Sequence, residues 1–467
     1  MRVRWIPAWA VALTLVLAVG GWLRVEAAAH HGRFLSADER AYAKLAAGLS
    51  AGHGYNGPQM TDPLHWPPGT PMVFAAARLG SGARAGELGP PAVYRAQAVV
   101  GILLIAAVFA LAALLAGPWA GVAAAAGVAL YPPLVLASGD LVTEPLGALT
   151  LVTGMLALVW AWRAPSWPRF ALAGGALGVA VLVRPDLLVV PFALALLVAV
   201  TQRTRRAGVG MGAGAAYLTG ALLAIAPWSA YATQRRGAFV PVTTSSWSTL
   251  FVGTYLPGDG RIFGLREKLG PVARAHNPRI RRVADANLRS EWILDAVAAR
   301  RPGLAREAAL RRETLANLRR FAIGRPAAYA GMEVRKLGRM WLGYDRGTHH
   351  GRRAWVLVVH LLLVAGALAG LLAGLLRARR PALWAIVTTL LLATAVSAFF
   401  VAEARQSARL IPLLVAGGAA GAVLARRETL TAQGRGPAAR NGPPPASGGA
   451  PFRPPPAGTG RAAARDR

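Results

Sequence analysis

The sequence predicts an all-α integral membrane protein with about ten transmembrane helices, within a range of about eight to thirteen. Hydrophobic residues make up 55% of the 467 residues, and the mean hydropathy is +0.41. The formal net charge is nevertheless +32, although only 15% of the residues are charged. A soluble protein carries about 25% charged residues, and a disordered polycation lacks so many apolar ones. Both classes are therefore excluded in favour of lipid-spanning runs separated by arginine.

The numbers of cysteines and lysines limit the chemistry that the protein can perform and indicate the kind of genome that encodes it. The chain has no cysteine, which excludes disulfides, thiolate nucleophiles and cysteine-ligated zinc. Its only lysines are Lys44, Lys268 and Lys336, so 49 of the 52 basic residues are arginine. Together with abundant Ala, Gly and Pro, this composition is typical of a GC-rich bacterial genome. We therefore expect a multi-pass protein of the bacterial inner (plasma) membrane.

Ten apolar runs of spanning or near-spanning length support the helix count. They lie at 5–23, 94–116, 119–137, 145–162, 170–184, 186–200, 209–229, 355–376, 382–401 and 409–425. The first run follows Arg2 and Arg4 and shows no convincing cleavage site, so we expect a retained helix rather than a signal peptide.

Arginines in the short loops predict the orientation. With the arginine-rich loops inside, both termini are cytoplasmic and four segments lie outside: 24–93, 138–144, 230–354 and 403–409. The predicted organisation is an N-terminal transmembrane module (1–229) containing the first external loop, an external, basic, mostly helical domain (230–354), C-terminal transmembrane helices (355–425) and a disordered cytoplasmic tail (426–467).

The first external loop holds a predicted amphipathic helix. Ser36 and Glu39 have the spacing of a capping box, and Tyr42 lies on the apolar face that follows. Asp38 falls in the first turn, where the helix dipole favours a carboxylate. Two interpretations follow: the acidic pair only begins a helix, or Asp38 is a general base at the membrane surface.

Several motifs follow in order along the external side. They are Asp38-Glu39, Gly52-His53-Gly54-Tyr55, Pro67-Pro68-Gly69-Thr70-Pro71, Ser138 to Pro145, Leu182 to Asp186, Thr243-Thr244-Ser245, Gly324 to Tyr329 with Lys336 and Trp341, and Glu403 to Pro412. Their order resembles the GT-C membrane glycosyltransferases, and within them the branch of protein O-mannosyltransferases and the aminoarabinose lipid A transferase (glycosyltransferase family 39-like). The resemblance implies transfer of a hexose or pentose from a polyprenyl-phosphate-linked donor to an acceptor on the external face.

The resemblance also implies roles for individual residues. The catalytic residues would be Asp38 and Glu39, with Glu144 and Asp140 as further active-site acids that face the acceptor. A leaving lipid phosphate calls for cations, and the candidates are Arg184, Lys336, Arg405 and Arg409. The substrate pocket would include Tyr42, Tyr55 and His65, with Asp62 nearby.

Asp140 and Glu144 have a spacing that a continuing helix would place on one face. Either residue would then orient the acceptor, pair with Arg184 or hold a cation. The simpler interpretation is that Asp140 caps a helix whose first turn contains Pro145.

No cofactor follows from a motif, and His53 and His65 are too few and too scattered to predict a metal site. The resemblance leaves a divalent cation, Mg²⁺ or Mn²⁺, open. Expected partners are the polyprenyl-phosphate sugar, a glycan, lipid or protein acceptor, and membrane lipids. Nucleic acid is not expected, because the positive charge is spread over separate loops.

Two other functions remain open at this point. A transporter or lipid flippase fits the helix count, although the sequence lacks the paired repeats typical of transporters. A non-enzymatic membrane assembly factor would use segment 230–354, which has 24 Lys/Arg against 9 Asp/Glu and hence a local charge of +15, to bind acidic polymers.

Overall fold

A computed structural model describes residues 6–31, 35–84, 86–203, 210–342 and 354–434, without the side chains of 432–434. The described residues form helices and turns and contain no strand. The chain divides into two compact units at Arg426, and of the second unit the structure describes only the end of the last helix. The predicted tail falls mainly on residues 435–467, which lie outside the described residues.

The N-terminal half holds ten helices. They are α1 (Ala8–Ala29), α2 (Ala37–Ser50), α3 (Gly69–Arg78), α4 (Pro91–Ala116), α5 (Pro118–Ala129), α6 (Pro132–Leu136), α7 (Glu144–Arg163), α8 (Trp167–Val183), α9 (Val190–Arg203) and α10 (Gly210–Arg236).

Nine further helices complete the described chain. Those between the membrane segments are α11 (Ser246–Thr254), α12 (Ile262–His276), α13 (Ser290–Ala298), α14 (Arg306–Asn317) and α15 (Pro326–Leu342), with a π-helical turn at Leu318–Ile323 before α15. The last four are α16 (Ala354–Ala378), α17 (Pro381–Phe399), α18 (Ala404–Ala408) and α19 (Ile411–Gly434).

Among the described residues, seven helices are long and apolar enough to cross a membrane, or eight if the bent pair α5–α6 is one span. The protein is thus an all-α, multi-pass membrane protein, but the predicted count of about ten is not confirmed. Each predicted apolar run does fall on a helix. The shortfall comes from α8, which has only 17 residues, and from α19, whose apolar part is followed by Arg426 and Arg427.

Glycine lets α8 and α10 approach closely. A Cβ on Gly174 would lie 1.8 Å from the carbonyl oxygen of Tyr217, and one on Gly220 would lie 1.9 Å from that of Ala171. Small residues at helix crossings replace the hydrophobic driving force that lipid does not supply. These glycines therefore allow the backbones of α8 and α10 to touch.

The bent pair α5–α6 turns by 64° at Leu130 and Tyr131. The break leaves carbonyls at the end of α5 without helical partners. Arg24 of α1, which is fully buried, donates to the carbonyls of Val128 and Ala129 at 3.0 Å each and to that of Gly20 at 2.9 Å. A cation at a helix C-terminus also complements the dipole, so Arg24 stabilises the break.

The loop that joins α1 to α4 contains the predicted amphipathic helix, α2. Its capping box is confirmed: the Ser36 hydroxyl accepts from the Glu39 amide, and the Glu39 carboxylate accepts from the Ser36 amide. Tyr42 and Leu45 are buried on its inner face. Gly48 is required because a Cβ there would lie 1.6 Å from the carbonyl oxygen of Asn56.

Helices α11 to α14, which we call the helical domain, share a core of buried residues. Phe251, Leu265, Ile293 and Leu310 belong to this core. Asp259 adopts a left-handed backbone with φ of 54° and is held by α15 through Arg335 and Arg339. Burial raises the pKa of Asp259, but hydrogen bonds and charges of the two arginines outweigh it, so the pKa lies below its ordinary value.

Replacing Arg24 tests how the break in α5–α6 is stabilised. We expect Arg24→Leu to lower the free energy of unfolding by about 2 kcal/mol or more, because buried carbonyls that lose a donor cost about 1–3 kcal/mol each. Denaturant titration of the detergent-solubilised protein measures the change. The matched control is Trp22→Leu on the exposed face of α1; equal stability of both variants would contradict the assignment.

Candidate functional site

A cavity of about 1520 Å³ lies between the loop that joins α1 to α4 and the helical domain. Its walls come from α2, from the loop at 59–67, from the turns at 142–144 and 183–189, from segment 243–252, from the helical domain and from 396–406. The cavity therefore brings together segments that are far apart in sequence. Of the predicted site residues, six line it: Asp38, Tyr42, His65, Glu144, Arg184 and Arg405.

Asp38 and Arg405 form an ion pair across the cavity. The Arg405 Nη1 donates to Asp38 Oδ2 at 2.6 Å, and its Nε lies 3.5 Å from the Glu403 carboxylate. The side chains of Asp38 and Arg405 remain 29% and 42% exposed, so a ligand can reach both. The negative charge of Asp38, the largest influence, raises the pKa of Arg405 well above its ordinary value.

Glu39 lies behind this pair rather than in the cavity wall. Its Oε2 accepts the Ser36 amide at 2.7 Å, and its Oε1 accepts the Leu141 amide at 3.0 Å. Glu39 is buried, with both carboxylate oxygens on backbone donors. It fixes the start of α2 against the turn that leads to α7, and so fixes where Asp38 points.

Arg184 lies at the junction of α8 and α9, as the two short apolar runs predicted. Its Nη1 donates to the Thr143 hydroxyl at 2.9 Å and lies 3.9 Å from the Glu144 carboxylate. Its Nε donates to Asp186 at 3.3 Å. The predicted pairing of Glu144 with Arg184 is therefore present in the structure.

Asp186 joins Arg184 to a second arginine. The fully buried Arg409 Nη2 donates to Asp186 Oδ2 and, at 3.4 Å, to the Ser397 hydroxyl. Its Nε and Nη1 are buried without a hydrogen-bond partner among the described residues. Asp186 is thus the main anion that compensates a buried guanidinium, while its exposed edge lines the cavity.

Aromatic and polar groups of the loop at 59–67 form another part of the wall. The ring of Tyr42 packs edge-on against Trp66 with centroids 5.2 Å apart. Thr244 donates its hydroxyl to Asp62 at 2.7 Å and its amide to the Leu64 carbonyl at 3.0 Å. Burial lowers the pKa of the neighbouring His65, so its imidazole is neutral at neutral pH.

Five predicted residues lie outside the cavity wall: Glu39, Tyr55, Asp140, Lys336 and Arg409. Tyr55 donates to the carbonyls of Trp66 and Pro67 and braces the loop. Lys336 is buried on α15, where it donates to the Gly253 carbonyl and to Glu333 at 3.0 Å each. The structure does not bring Lys336 to this cavity, and its predicted phosphate contact stays a prediction.

Asp140 does not share a helical face with Glu144. Helix α7 begins at Glu144 with Thr143 as its N-cap residue, and Asp140 precedes it in an extended conformation. The backbone carbonyls of Asp140 and Val142 accept from the Gln97 side chain at 3.0 and 2.8 Å. The expected continuous helix and the expected cap by Asp140 are both wrong, because Gln97 holds this stretch as a turn.

The helical domain supplies a wall that the sequence did not indicate. Its charged and aromatic lining residues are Arg266, Arg289, Glu291, Trp292, Asp295, Arg306 and Glu307. They are spread over the three helices α12, α13 and α14 and the residue before α13 without a motif, so only the tertiary structure assembles them. Asp186 could have been found from the sequence, because it stands two residues after Arg184 in the Arg-Pro-Asp turn.

Among the described residues, no group of three or more His, Asp or Glu is arranged to hold a metal ion. The cavity carboxylates Asp38, Glu144 and Asp186 each face a guanidinium instead. These side chains do not fit a resident divalent cation.

A double-mutant cycle tests the contact between Asp186 and Arg409. We expect Asp186→Asn alone to cost about 3–5 kcal/mol, because it leaves a buried guanidinium unpaired. Asp186→Asn combined with Arg409→Met should cost less than the sum of the single variants. Unfolding in detergent measures all three; additive losses would contradict the coupling.

His65 predicts a pH dependence of stability. Its folded pKa is lowered from the unfolded value of about 6.5, so the unfolded chain binds the proton first. Stability should therefore fall as the pH drops below about 6.5. We expect His65→Gln to lose less stability than the parent protein between about pH 7.5 and about pH 5.5 in thermal unfolding. Equal losses would contradict the assignment.

Part of the sequence matches a known protein family. Residues 69–231 match the family model "Dolichyl-phosphate-mannose-protein mannosyltransferase". The matched region runs from the Pro-Pro-Gly entry of α3 to the end of α10. It therefore contains Glu144, Arg184 and Asp186, but not α2. A search of curated proteins gave no match to the chain.

Solved structures with a similar fold include the archaeal oligosaccharyltransferase AglB from Archaeoglobus fulgidus in complex with an inhibitory peptide and a dolichol-phosphate. It has a TM-score of 0.51 and 15% identity, with coverage of 88% of this chain and 50% of that chain. The same enzyme tethered to an acceptor peptide has a TM-score of 0.52 and 15% identity, covering 91% and 50%.

ArnT from Cupriavidus metallidurans bound to undecaprenyl phosphate matches at a TM-score of 0.39 and 16% identity, covering 88% of this chain and 77% of that one. The present chain spans about half the length of the oligosaccharyltransferase. The resemblance drawn from the sequence motifs is confirmed for residues 69–231, which match the dolichyl-phosphate-mannose-protein mannosyltransferase family model, and the fold of the chain is similar to that of the oligosaccharyltransferase.

Proposed function

We propose that this protein transfers a sugar, a hexose or a pentose, from a polyprenyl-phosphate-linked donor to an acceptor at the external face of a bacterial cell membrane. Both termini would be cytoplasmic, and the acceptor would be a glycan, lipid or protein. The family match on residues 69–231 and the shared fold support this class of reaction.

One observation carries the proposal: a carboxylate and two guanidiniums line the same cavity beside the membrane helices. Asp38 stands in the first turn of α2, and Arg405 and Arg184 share the cavity with it. Transfer from a lipid phosphate needs a base for the acceptor and cations for the departing phosphate. The cavity provides both in one space.

In the proposed reaction, the acceptor hydroxyl or amine attacks the anomeric carbon of the donor sugar. Asp38 takes the acceptor proton as the new glycosidic bond forms. The bond between the anomeric carbon and the phosphate oxygen breaks, and the polyprenyl phosphate leaves with the bonding electrons. Arg405 and Arg184 stabilise the negative charge that develops on that phosphate.

The ion pair between Asp38 and Arg405 implies that donor binding would also affect the catalytic base. While Arg405 donates to Asp38 at 2.6 Å, that carboxylate oxygen is engaged by a guanidinium and not by an acceptor hydroxyl. A phosphate that engages Arg405 competes with Asp38 for the same cation. Donor binding would therefore leave Asp38 free to accept a proton.

Removing the carboxylate of Asp38 tests the base. We expect Asp38→Asn to lower kcat by about 10²–10⁴-fold with little change in donor binding. The measurement is transfer of radiolabelled sugar in proteoliposomes, using a panel of hexose- and pentose-linked polyprenyl phosphates and envelope extract as acceptor. The matched control is Glu26→Gln, an exposed carboxylate on α1.

Near-normal turnover by a correctly inserted Asp38→Asn variant would contradict the base assignment. The same proteoliposomes separate transfer from flipping. A flippase would move the lipid-linked sugar across the bilayer without producing free polyprenyl phosphate, whereas the proposed enzyme releases it in proportion to transfer.

Replacing Arg405 tests the donor contact. We expect Arg405→Gln to weaken binding of polyprenyl phosphate by about 10–100-fold, since charge-assisted hydrogen bonds contribute about 1.5–3 kcal/mol. Titration of the purified protein with a short-chain polyprenyl phosphate measures this. The control is Arg335→Gln, an exposed arginine outside the cavity that also pairs with an aspartate; equal affinities would contradict the contact.

A further inference from the structure

Helix α15 has one face that is fully engaged with the rest of the protein. Met332, Lys336 and Met340 are buried on it. Lys336 donates to the Gly253 carbonyl, and the neighbouring Arg339 donates to the Asp259 carboxylate at 2.6 Å. Through this face α15 is fixed to the helical domain, and it also packs against α18, which carries Arg405.

The opposite side of α15 is apolar, and it is exposed except at Trp341, which is partly buried against the main hydrophobic core. We define the α15 stripe as Ile323, Ala327, Ala330, Val334 and Trp341, which recur at three-, four- and seven-residue steps and so share one face. Ile323 is 76% exposed and Val334 is 68% exposed. A soluble domain rarely leaves an ordered apolar stripe in water, so this face contacts another apolar phase or partner.

A hydrogen bond joins the end of α15 to α16. The His360 Nε2 donates to the carbonyl of Trp341 at 2.9 Å, while its Nδ1 accepts from the Tyr131 hydroxyl at 2.7 Å. His360 lies six residues into α16, a helix long and apolar enough to span. At a rise of about 1.5 Å per residue, Trp341 therefore lies beside α16 at a point about 9 Å along from the start of that helix.

Positive charge accompanies the stripe at its other end. Arg319, Arg320 and Arg325 are exposed around the π-helical turn that precedes α15. None of them has a carboxylate within ion-pair distance in the part of the chain that the structure describes. An arginine near an anionic membrane surface gains about 1 kcal/mol, and a tryptophan favours the interface.

We propose that α15 and the turn before it form a lipid-binding surface. The stripe lies in the boundary between headgroups and acyl chains, and Arg319, Arg320 and Arg325 bind anionic phospholipid headgroups. The contact of Trp341 with the spanning helix α16 favours lipid over a soluble protein as the partner of the stripe. This surface lies outside the cavity and does not depend on the proposed transfer reaction.

The absence of cysteine from the chain makes the test direct. Single cysteines at Val334 and Ala330 of the full-length protein are labelled with bimane and placed in liposomes containing brominated phosphatidylcholine. The positive control is Leu362→Cys on α16, which is 69% exposed, and the negative control is the exposed Arg282→Cys of the helical domain. We expect quenching at 330 and 334 close to that at 362. Quenching no greater than at 282 would overturn the proposal.

A second arm tests the headgroup contact. In liposomes of phosphatidylcholine and phosphatidylglycerol, bromine is carried by one lipid or by the other at the same mole fraction. We expect brominated phosphatidylglycerol to quench the label at 334 about twofold more than brominated phosphatidylcholine, because the arginines enrich anionic lipid there.

The double variant Arg319→Gln/Arg325→Gln should return that ratio to the value found for the label at 362. Its thermal unfolding is compared with that of the parent to show that the fold is intact. A ratio that is unchanged by the double variant, or equal to the one at 362 from the outset, would overturn the anionic contact. Loss of quenching at 334 in both lipids would overturn the surface as a whole.

Discussion

The fold depends on finding partners for its buried arginines. The hydrocarbon of a membrane offers a guanidinium no hydrogen-bond or ion-pair partner, so the protein must supply all of them. Three arginines meet this constraint in different ways. Arg24 uses backbone carbonyls freed by the break after α5, Arg184 is shared between Glu144 and Asp186, and Arg409 depends on Asp186 and Ser397. Each solution ties together helices that are distant in sequence, so the charges that burial penalises also determine which helices meet.

The same constraint shapes the cavity. Arg405, which is 42% exposed, pairs with the carboxylates of Asp38 and Glu403, whereas Arg184 is held by Asp186 two residues further along the chain. Glu39 has both oxygens on backbone amides and therefore sets the position of α2 without contributing a charge to the cavity surface. A ligand that carries negative charge could replace the carboxylate partners of Arg405 while Arg184 keeps its own.

Much of the fold could be predicted because hydropathy and capping are local properties. The ten apolar runs all fall on helices, and the capping box at Ser36 and Glu39 forms as its spacing indicates. The span count failed where a helix is short or ends in charge, as α8 and α19 do. Only part of the site could be predicted from the sequence. Asp38, Arg184 and Arg405 stand in motifs, whereas Arg266, Glu291 and Trp292 meet them only through tertiary packing. Gln97 had no motif at all, yet it decides the conformation of 140–142.

Thr244 connects two walls of the cavity that are 182 residues apart in sequence. Its hydroxyl and its amide both bind the loop at 62–64, and the segment just before it is held to α10 by Trp228 and Ser229. Loop and segment are consequently bonded both to each other and to α10. This wall of the cavity is therefore tied to a helix long and apolar enough to span a membrane, whereas the opposite wall belongs to the helical domain.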